Sequence, residues 1–326
     1  MEINICLSSD DNYAQHLGVT IASILKNAKK QDELFFYILD GGIKEENKQN
    51  LLSLQKIRKF DIKFIEINED DFKTCPLVGN HITIATYYRF LIPTFLPDLD
   101  KVLYLDCDMI IEDSLSKLYA EDISDYWIGG VEDLGYYYHR RELKRETESF
   151  YINAGMILMN LKKWREDNIE EKLFNFAEEN KEILIHQDQD VINMVLNQKS
   201  KPLDYKWNVQ DSFYRKTDRN RHPNTKLLEK AKKRPSIMHY TGPTKPWAEY
   251  IWLPMAYLYL RYLKYTPWKD NLPTDNDVLS ACIKSLFIYL LHHPFFLLSK
   301  NFWSQSRSER KRKLFLFNWS YSLFPD

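Results

Sequence analysis

Cysteine is scarce in this chain: Cys6, Cys75, Cys107 and Cys282 are spread over 326 residues. No two have the spacing of a CxxC pair or of a structural zinc site, and nothing suggests a disulfide framework. Cys6 and Cys107 lie in apolar, strand-like runs, where free thiols are commonly buried. This predicts a reducing, cytoplasmic setting. The opening MEINICLSSDD has no basic stretch leading into a long apolar segment, so no secretory leader is expected. Long apolar runs are missing too. The longest, from Leu286 to Leu298, is interrupted by His292, His293 and Pro294 and is too short to span a bilayer. The formal net charge of -1 argues against a surface that coats nucleic acid, and no nucleic-acid partner is expected. There is no internal repeat and no low-complexity tract.

What is present is ordinary globular material, 44% hydrophobic and 28% charged, long enough to bury a substantial core. The 21 Tyr, 18 Phe and 8 Trp read mainly as core, with some left to form platforms for rings and bases. Over the first 110 residues strand and helix patterns alternate. Ile3 to Leu7 is a strand, Asp10-Asp11-Asn12 a turn and helix cap, and Leu17, Ile21, Ile24 and Leu25 share one helical face. Strands follow at Phe35 to Leu39, Ile62 to Ile67 and Val102 to Leu105, with helices at about 44–57 and 83–91. That alternation predicts a mostly parallel sheet with flanking helices, whose ligands bind beyond the carboxyl ends of the strands. Asp10-Asp11-Asn12 and Asp106-Cys107-Asp108 both stand at such ends.

Further strands are expected near 127–131 and 154–160, helices at about 163–180 and 188–197, and a polar, loop-rich stretch from 202 to 234. Ser236 to Met238 resumes a strand pattern. From Leu279 to Asp326 seven Lys or Arg face two acids, with five basic residues and one acid between Arg307 and Lys313. An aromatic, basic tail of this kind reads as an interfacial segment on an anionic membrane, in preference to a helical pair packed on the domain.

The sharpest chemical signal is Asp106-Cys107-Asp108. Two carboxylates at the end of a buried strand can share one hard divalent cation, Mn²⁺ or Mg²⁺, which also holds substrate phosphates. Alone, the pattern is more often a solvated turn after a strand. A second cluster, His239 to Trp247, adds an imidazole able to complete a metal shell, Gly242 for close backbone approach and Lys245 as a point charge for a phosphate. A third, Tyr151-Ile152-Asn153-Ala154-Gly155, combines small residues with an amide for hydroxyls. A fourth, His186-Gln187-Asp188-Gln189, opens a helix, where Asp188 is either a sugar ligand or an N-cap.

Taken in order, SSDDNYAQHLGV, HITIATYYRF, DKVLYLDCDMIIEDSL, FYINAGMILMNLKKW, HQDQDVIN and HYTGPTKPW resemble glycosyltransferase family 8, above all the bacterial lipopolysaccharide α-galactosyltransferases and glucosyltransferases. The resemblance covers roughly residues 3 to 250. It implies a GT-A-type α/β fold and a retaining hexosyltransferase that uses a UDP-hexose (UDP-galactose or UDP-glucose) with Mn²⁺ or Mg²⁺. By position it assigns Asp106, Asp108 and His239 to the metal, with Cys107 between the carboxylates. Ser8 or Ser9, Asp10, Asn12 and Tyr13 fall on the uridine, and Gly242 and Lys245 on the diphosphate. Arg89, Asp133, Asn153, Ala154, Asp188 and Gln189 fall around the donor sugar, Gln189 being the family position nearest the anomeric carbon. Ser8-Ser9 replaces the usual pair of alanines, a change that serine is small enough to allow. The acceptor is expected to be a saccharide hydroxyl in a glycolipid such as lipooligosaccharide, or alternatively a glycoprotein. The tail resembles segments that attach such enzymes to the inner face of the membrane. The expected division is a catalytic domain over 1–265 and a membrane-attaching segment over 266–326. Rival classes are a metal-dependent nucleotidyltransferase or phosphohydrolase, for which a basic phosphate loop is missing, and a non-catalytic scaffold, for which a metal ligand should be lost.

Overall fold

A computed structural model describes residues 1–76, 84–134, 150–196, 199–214, 225–242, 245–247 and 255–271. The sheet strands are β1 (Glu2–Ser9), β2 (Glu33–Asp40), β3 (Asp61–Glu66), β4 (Lys101–Leu105), β5 (Met109–Ile111), β6 (Ile128–Glu132), β7 (Ile152–Asn160), β8 (Ser200–Pro202), β9 (Val209–Gln210) and β10 (Ile237–His239). Seven of them form one sheet in the order β3-β2-β1-β4-β7-β6-β8, and β5-β10-β9 make a second, small one. In the large sheet β1 to β4 run parallel, while β7 is antiparallel to both β4 and β6. The fold is thus the expected mixed, mostly parallel α/β sheet.

Both faces of the sheet are covered, which explains why β1 is buried at every position from Ile3 to Leu7 instead of alternating. Ile3, Ile5 and Leu7 belong to one buried cluster and Cys6 to the other. Helix α1 (Ala14–Asn27) packs on the first face. Its expected inward stripe is buried, yet so are His16, Thr20 and Ser23. The reason is a second cover, the helix Ala256–Leu263, which lies along α1. Beyond it Trp268 sits over Gly18, where an added β-carbon would meet the indole ring.

The polar residues of α1 have a structural task. Thr20 Oγ1 donates to the carbonyls of Cys107 (2.7 Å) and Met109 (2.9 Å), Ser23 Oγ accepts from Ile111 N (3.0 Å), and Asn27 Nδ2 donates to Ile111 O (2.8 Å). Spaced 3 and 4 apart, they form one seam that satisfies the backbone of the Cys107–Ile111 segment.

Several expected elements are redrawn. The helix expected over 44–57 is α2 (Glu45–Leu52) followed by a 3-10 turn, Ser53–Lys56. The one expected at 83–91 is a 3-10 segment, Ile84–Leu91, leading into the short α3 (Ile92–Phe95). The short α4 (Ser116–Tyr119) follows β5. In place of a single helix over 163–180 there are α5 (Leu161–Glu166) and α6 (Ile169–Glu179). They are separated by Asn168, whose φ of 51° is a left-handed conformation that asparagine tolerates better than most residues. The stretch 202–234 is less loop-like than expected: it holds β9, two 3-10 turns and a helix, Thr225–Lys233. The basic, aromatic tail and Cys282 lie outside the described residues. Among the described residues no helix is long and apolar enough to cross a membrane.

Candidate metal and sugar-nucleotide site

The strand order turns at β1, which has β2 on one side and β4 on the other. Leu7 pairs with Leu105, so Ser8-Ser9-Asp10 and Asp106-Cys107-Asp108 leave the sheet side by side, at the crevice where such sheets bind ligands. Cys107 Sγ donates to Ser8 O at 2.8 Å and ties the two ends together. Burial pushes this thiol well above its ordinary pKa, so it is a neutral cross-tie.

Two reversals of chain direction bring in the rest. Because β7 is antiparallel to β4, its beginning faces the end of β4: Leu105 pairs with Met156, and Asp106 N donates to Gly155 O at 2.8 Å. Because β10 is antiparallel to β5, His239 lies opposite Met109, and Tyr240 N donates to Asp108 O at 3.1 Å. Asp106, Asp108 and His239 therefore converge, with one potential ligand atom from each all within 4.8 Å of one another. His239 Nε2 is 3.1 Å from Asp108 Oδ1 and 3.9 Å from Asp106 Oδ2. Asp108 Oδ1 is buried and accepts no hydrogen bond. A β-carbon on Gly155 would run into the imidazole and into Asp106 Oδ2, so the glycine is what lets the carboxylate and the ring approach. Two carboxylates, one imidazole, an orphaned buried oxygen and the cradle over Gly155 all fit a hard divalent cation.

Lys245 reaches the same group: its Nζ lies 2.6 Å from Asp108 Oδ2 and 2.6 Å from Tyr240 O. Burial opposes ionisation of Asp108, but the Lys245 ammonium beside it outweighs that and holds the carboxyl well below the usual range. Gly242, half-buried, lies between His239 and Lys245.

A second cluster adjoins the first. Arg89 is buried over the ring of Tyr104, 4.4 Å from its centroid. Its Nη2 is 3.1 Å from Asp106 Oδ1, its Nε is 3.1 Å from Asp188 Oδ2, and Nη1 donates to Ala154 O. Asp188 also accepts from Thr86. It is the second residue of α7 (Gln187–Leu196), and its carboxylate is turned to Arg89 and Thr86. Burial raises its pKa to about 6 despite the guanidinium. Gln189 Oε1 accepts from Ala154 N (2.9 Å) and Asn153 Nδ2 (3.2 Å), and its Nε2 donates to Asp133 (3.1 Å). Asn153 Nδ2 also reaches Asp133 Oδ2 at 3.1 Å. Helix α7 is bolted to β7 by Asn193, which bonds both backbone groups of Ile152.

At the rim, Asp10 Oδ1 accepts from Tyr13 N (2.9 Å) and closes the turn before α1, while Asn12 and Tyr13 are exposed. Ser9 Oγ donates to Asp10 O, and Ser8 Oγ is buried with no partner. All the sequence-derived candidates thus lie on the strand ends, loops and helix terminus that surround this one edge. Three contributors were not singled out from the sequence: Thr86, Tyr104 and Asn208. Thr86 and Tyr104 stand inside two of the singled-out motifs, and their hydroxyls left no distinguishing pattern. Asn208 stands in the stretch read as loop.

The match to known proteins follows this geometry. The model of "Glycosyl transferase family 8" matches residues 4–250. "General stress protein A" of Bacillus subtilis is 33% identical over 82% of this chain and 94% of its own length. The "Lipopolysaccharide 1,3-galactosyltransferase" of Salmonella typhimurium is 30% identical over 88% of this chain and 86% of its own length. The crystal structure of the galactosyltransferase LgtC, in complex with donor and acceptor sugar analogs, superposes with a TM-score of 0.74 at 30% identity, covering 83% of this chain and 100% of that one. With the family's model spanning most of the sequence and a GT-A-like structure superposing over most of it as well, the chain belongs to glycosyl transferase family 8.

Proposed function

We propose that this glycosyltransferase moves galactose or glucose from a UDP-sugar to a saccharide hydroxyl of a cell-surface glycolipid, with retention at the anomeric carbon. The observation that carries the reading is the junction of two clusters at one sheet edge, a carboxylate-imidazole triad beside a pocket of Arg89, Asn153, Ala154, Asp188 and Gln189. The first suits a metal diphosphate and the second a hexose rich in hydroxyls.

Asp106, Asp108 and His239 would hold Mn²⁺ or Mg²⁺, which supplies charge neutralisation for a departing nucleoside diphosphate. Lys245 adds a cation on the phosphate side. Ser8, Ser9, Asp10, Asn12 and Tyr13 line the end of β1 where the uridine would lie, and Gly242 lets backbone approach the diphosphate. The protein's share of catalysis is then positioning and a fixed electrostatic environment.

In the transfer the bond from C1 to the diphosphate oxygen breaks, a bond from C1 to the acceptor oxygen forms, and the acceptor proton passes to the departing phosphate. Attack on the same face fits the side chains. The Gln189 amide is a poor nucleophile and is held at both ends, and the Asp188 carboxylate is engaged by Arg89 and Thr86. A trapped glycosyl adduct on either residue would overturn same-face attack.

The relatives named for lipopolysaccharide synthesis support a lipid-linked saccharide as acceptor. The basic, aromatic composition of 279–326 supports attachment to the anionic inner face of the membrane. Removing the residues after Asp277 should release the enzyme from membranes, and a truncated enzyme that stays bound would rule that attachment out.

The deciding experiment is UDP release from a panel of UDP-sugars with Mn²⁺ and no acceptor. Slow hydrolysis of one sugar nucleotide is expected, lost with chelator and in Asp108→Ala. If no UDP-sugar is bound or turned over in the presence of metal, the reading fails.

A further inference from the structure

We infer that Asn208 is a positioning residue, transmitting the hydrogen-bond polarity of the sugar pocket to His239 and fixing that ring as a metal ligand. The inference rests on the metal site proposed above.

Two backbone N–H groups, which can only donate, set the polarity. Ala154 N points at one end of the Gln189 amide (2.9 Å) and Gly155 N at one end of the Asn153 amide (3.2 Å). Both of those ends must be oxygen. The Asn153 nitrogen is then directed at the Asp133 carboxylate (3.1 Å), a second constraint of the same sense. Asn153 Oδ1 has a further contact, with Asn208 at 2.9 Å, and it can only accept; the facing atom of Asn208 is therefore Nδ2. Asn208 is fully buried, so no solvent can substitute in this chain. Its remaining end, Oδ1, faces His239 Nδ1 at 3.0 Å. An amide oxygen accepts only, so Nδ1 carries the proton.

In the neutral ring the lone pair is left on Nε2, the atom that faces Asp108 Oδ1 at 3.1 Å and Asp106 Oδ2 at 3.9 Å. That places a lone pair against two carboxylates, an arrangement relieved by a shared cation. Had Asn208 been turned the other way, Nδ1 would accept and Nε2–H would point at Asp108, giving a hydrogen bond where a metal ligand is needed. One amide thus separates the two outcomes, and it is wired to Asn153, Gln189 and Asp133 on the sugar side. Outer partners of ligating histidines typically contribute about 10- to 100-fold in metal affinity.

The test uses the full-length protein with Mn²⁺ alone, followed by electron paramagnetic resonance, and the imidazole ¹⁵N shifts of the metal-free protein. The parent should show His239 protonated on Nδ1. Asn208→Leu should bind Mn²⁺ about 10- to 100-fold more weakly and lose the single tautomer. Asn208→Asp, which still offers Nδ1 an acceptor but gives Asn153 no donor, should keep Mn²⁺ affinity near the parent's while raising the KM for the sugar nucleotide. A folded Asn208→Leu protein with parental Mn²⁺ affinity, or a parent His239 protonated on Nε2, overturns the inference. Should Asn208→Leu fail to fold, the parent's tautomer and Asn208→Asp decide alone. None of the metal or tautomer readouts involves donor or acceptor. A parent that binds Mn²⁺ with the Nδ1–H tautomer but turns over no UDP-sugar therefore sinks the functional reading and not this one. Intact turnover with an unaltered tautomer in Asn208→Leu does the reverse.

Discussion

Lys245 and Asp108 form a half-buried ion pair, with Nζ 2.6 Å from Oδ2, at the position where a metal-bound diphosphate would require both groups. The same ammonium donates to Tyr240 O. Asp108 raises the pKa of Lys245 above its ordinary value in spite of burial, so the pair is ionised. On the function proposed above, Lys245 would stand as a cation in the metal's shell and an incoming metal ion would compete with it. A donor phosphate would end that competition by giving the ammonium a new partner.

This makes Lys245→Met informative in two directions. Mn²⁺ binding without donor should strengthen severalfold, while the KM for the sugar nucleotide rises by about ten- to a hundredfold, the worth of one charge-assisted hydrogen bond. The metal-free variant should also melt earlier, since Asp108 loses its closest cation, and Mn²⁺ should restore the loss. Weaker Mn²⁺ binding in this variant would show that the lysine assists the metal instead of competing with it.

Gly155→Ala tests the cradle. Its β-carbon would press on the His239 ring and on Asp106 Oδ2 while the backbone hydrogen bond from Asp106 N to Gly155 O need not change. Mn²⁺ affinity should fall by at least about a hundredfold as ligands are displaced, and donor hydrolysis should vanish with it. A variant that retains Mn²⁺ affinity would mean that ring and carboxylate move aside freely, and the rigid-cradle account would be wrong.

Much of this architecture was legible because Asp106 and Asp108 stand at the end of an apolar strand, and parallel sheets gather strand ends at one edge. The small pair Ala154-Gly155 was equally visible as a place for close approach. What could not be read was which group would approach. The structure assigns that space to Asp106 and His239, because antiparallel β7 and β10 both arrive there from the far side. Asp188 illustrates a different limit. A helix-opening aspartate reads as a cap, but here the cap-like role belongs to Asp190, which accepts from Ile185 N and His186 N at 2.7 Å each and leaves Asp188 for Arg89. Thr225–Lys233 reads as loop in the sequence because its lysines hide a short buried stripe, Leu228 and Ala231, too sparse to register. Asn208 carries no local signal at all, since its role depends on four partners scattered from Asp133 to His239.

Asp188 also sets an expectation for pH. Burial lifts its carboxyl from the ordinary 3.8 to about 6, so the fold favours the protonated form. The group's contribution to stability is therefore present below about pH 4 and is lost as pH rises through about 6. Activity should run the other way, because the ionised carboxylate is the form that pairs with Arg89 Nε in the sugar pocket proposed above. The kcat/KM for the donor should fall about tenfold per pH unit below pH 6. In Asp188→Asn that limb should disappear, leaving a low, flat profile. An unchanged acid limb in the variant would assign the titration to another group.

His16, on α1, provides the opposite case. Its ring stacks on Trp247 with centroids 3.6 Å apart, and its Nδ1 is 2.6 Å from the Tyr259 hydroxyl. That hydroxyl accepts from Gln15 Nε2 at 3.1 Å, so its own proton is free to go to His16, and the imidazole is held neutral. Burial depresses the pKa from 6.5 to about 3. The unfolded chain then binds a proton between those values that the folded chain does not. Stability falls as pH drops below 6.5, by about 2 kcal/mol at pH 5 from this group alone. His16→Phe keeps a ring against Trp247 but cannot take a proton. It should lose about 1 kcal/mol at pH 7.5 with the Tyr259 hydrogen bond, yet decline less steeply than the parent on acidification, so that urea unfolding curves of the two proteins converge or cross between pH 7.5 and 5. Because Trp247 belongs to the same segment as Lys245, protonation of His16 would also loosen the anchor of the phosphate-side loop. Parallel stability profiles for parent and variant would show that His16 does not carry this acid sensitivity.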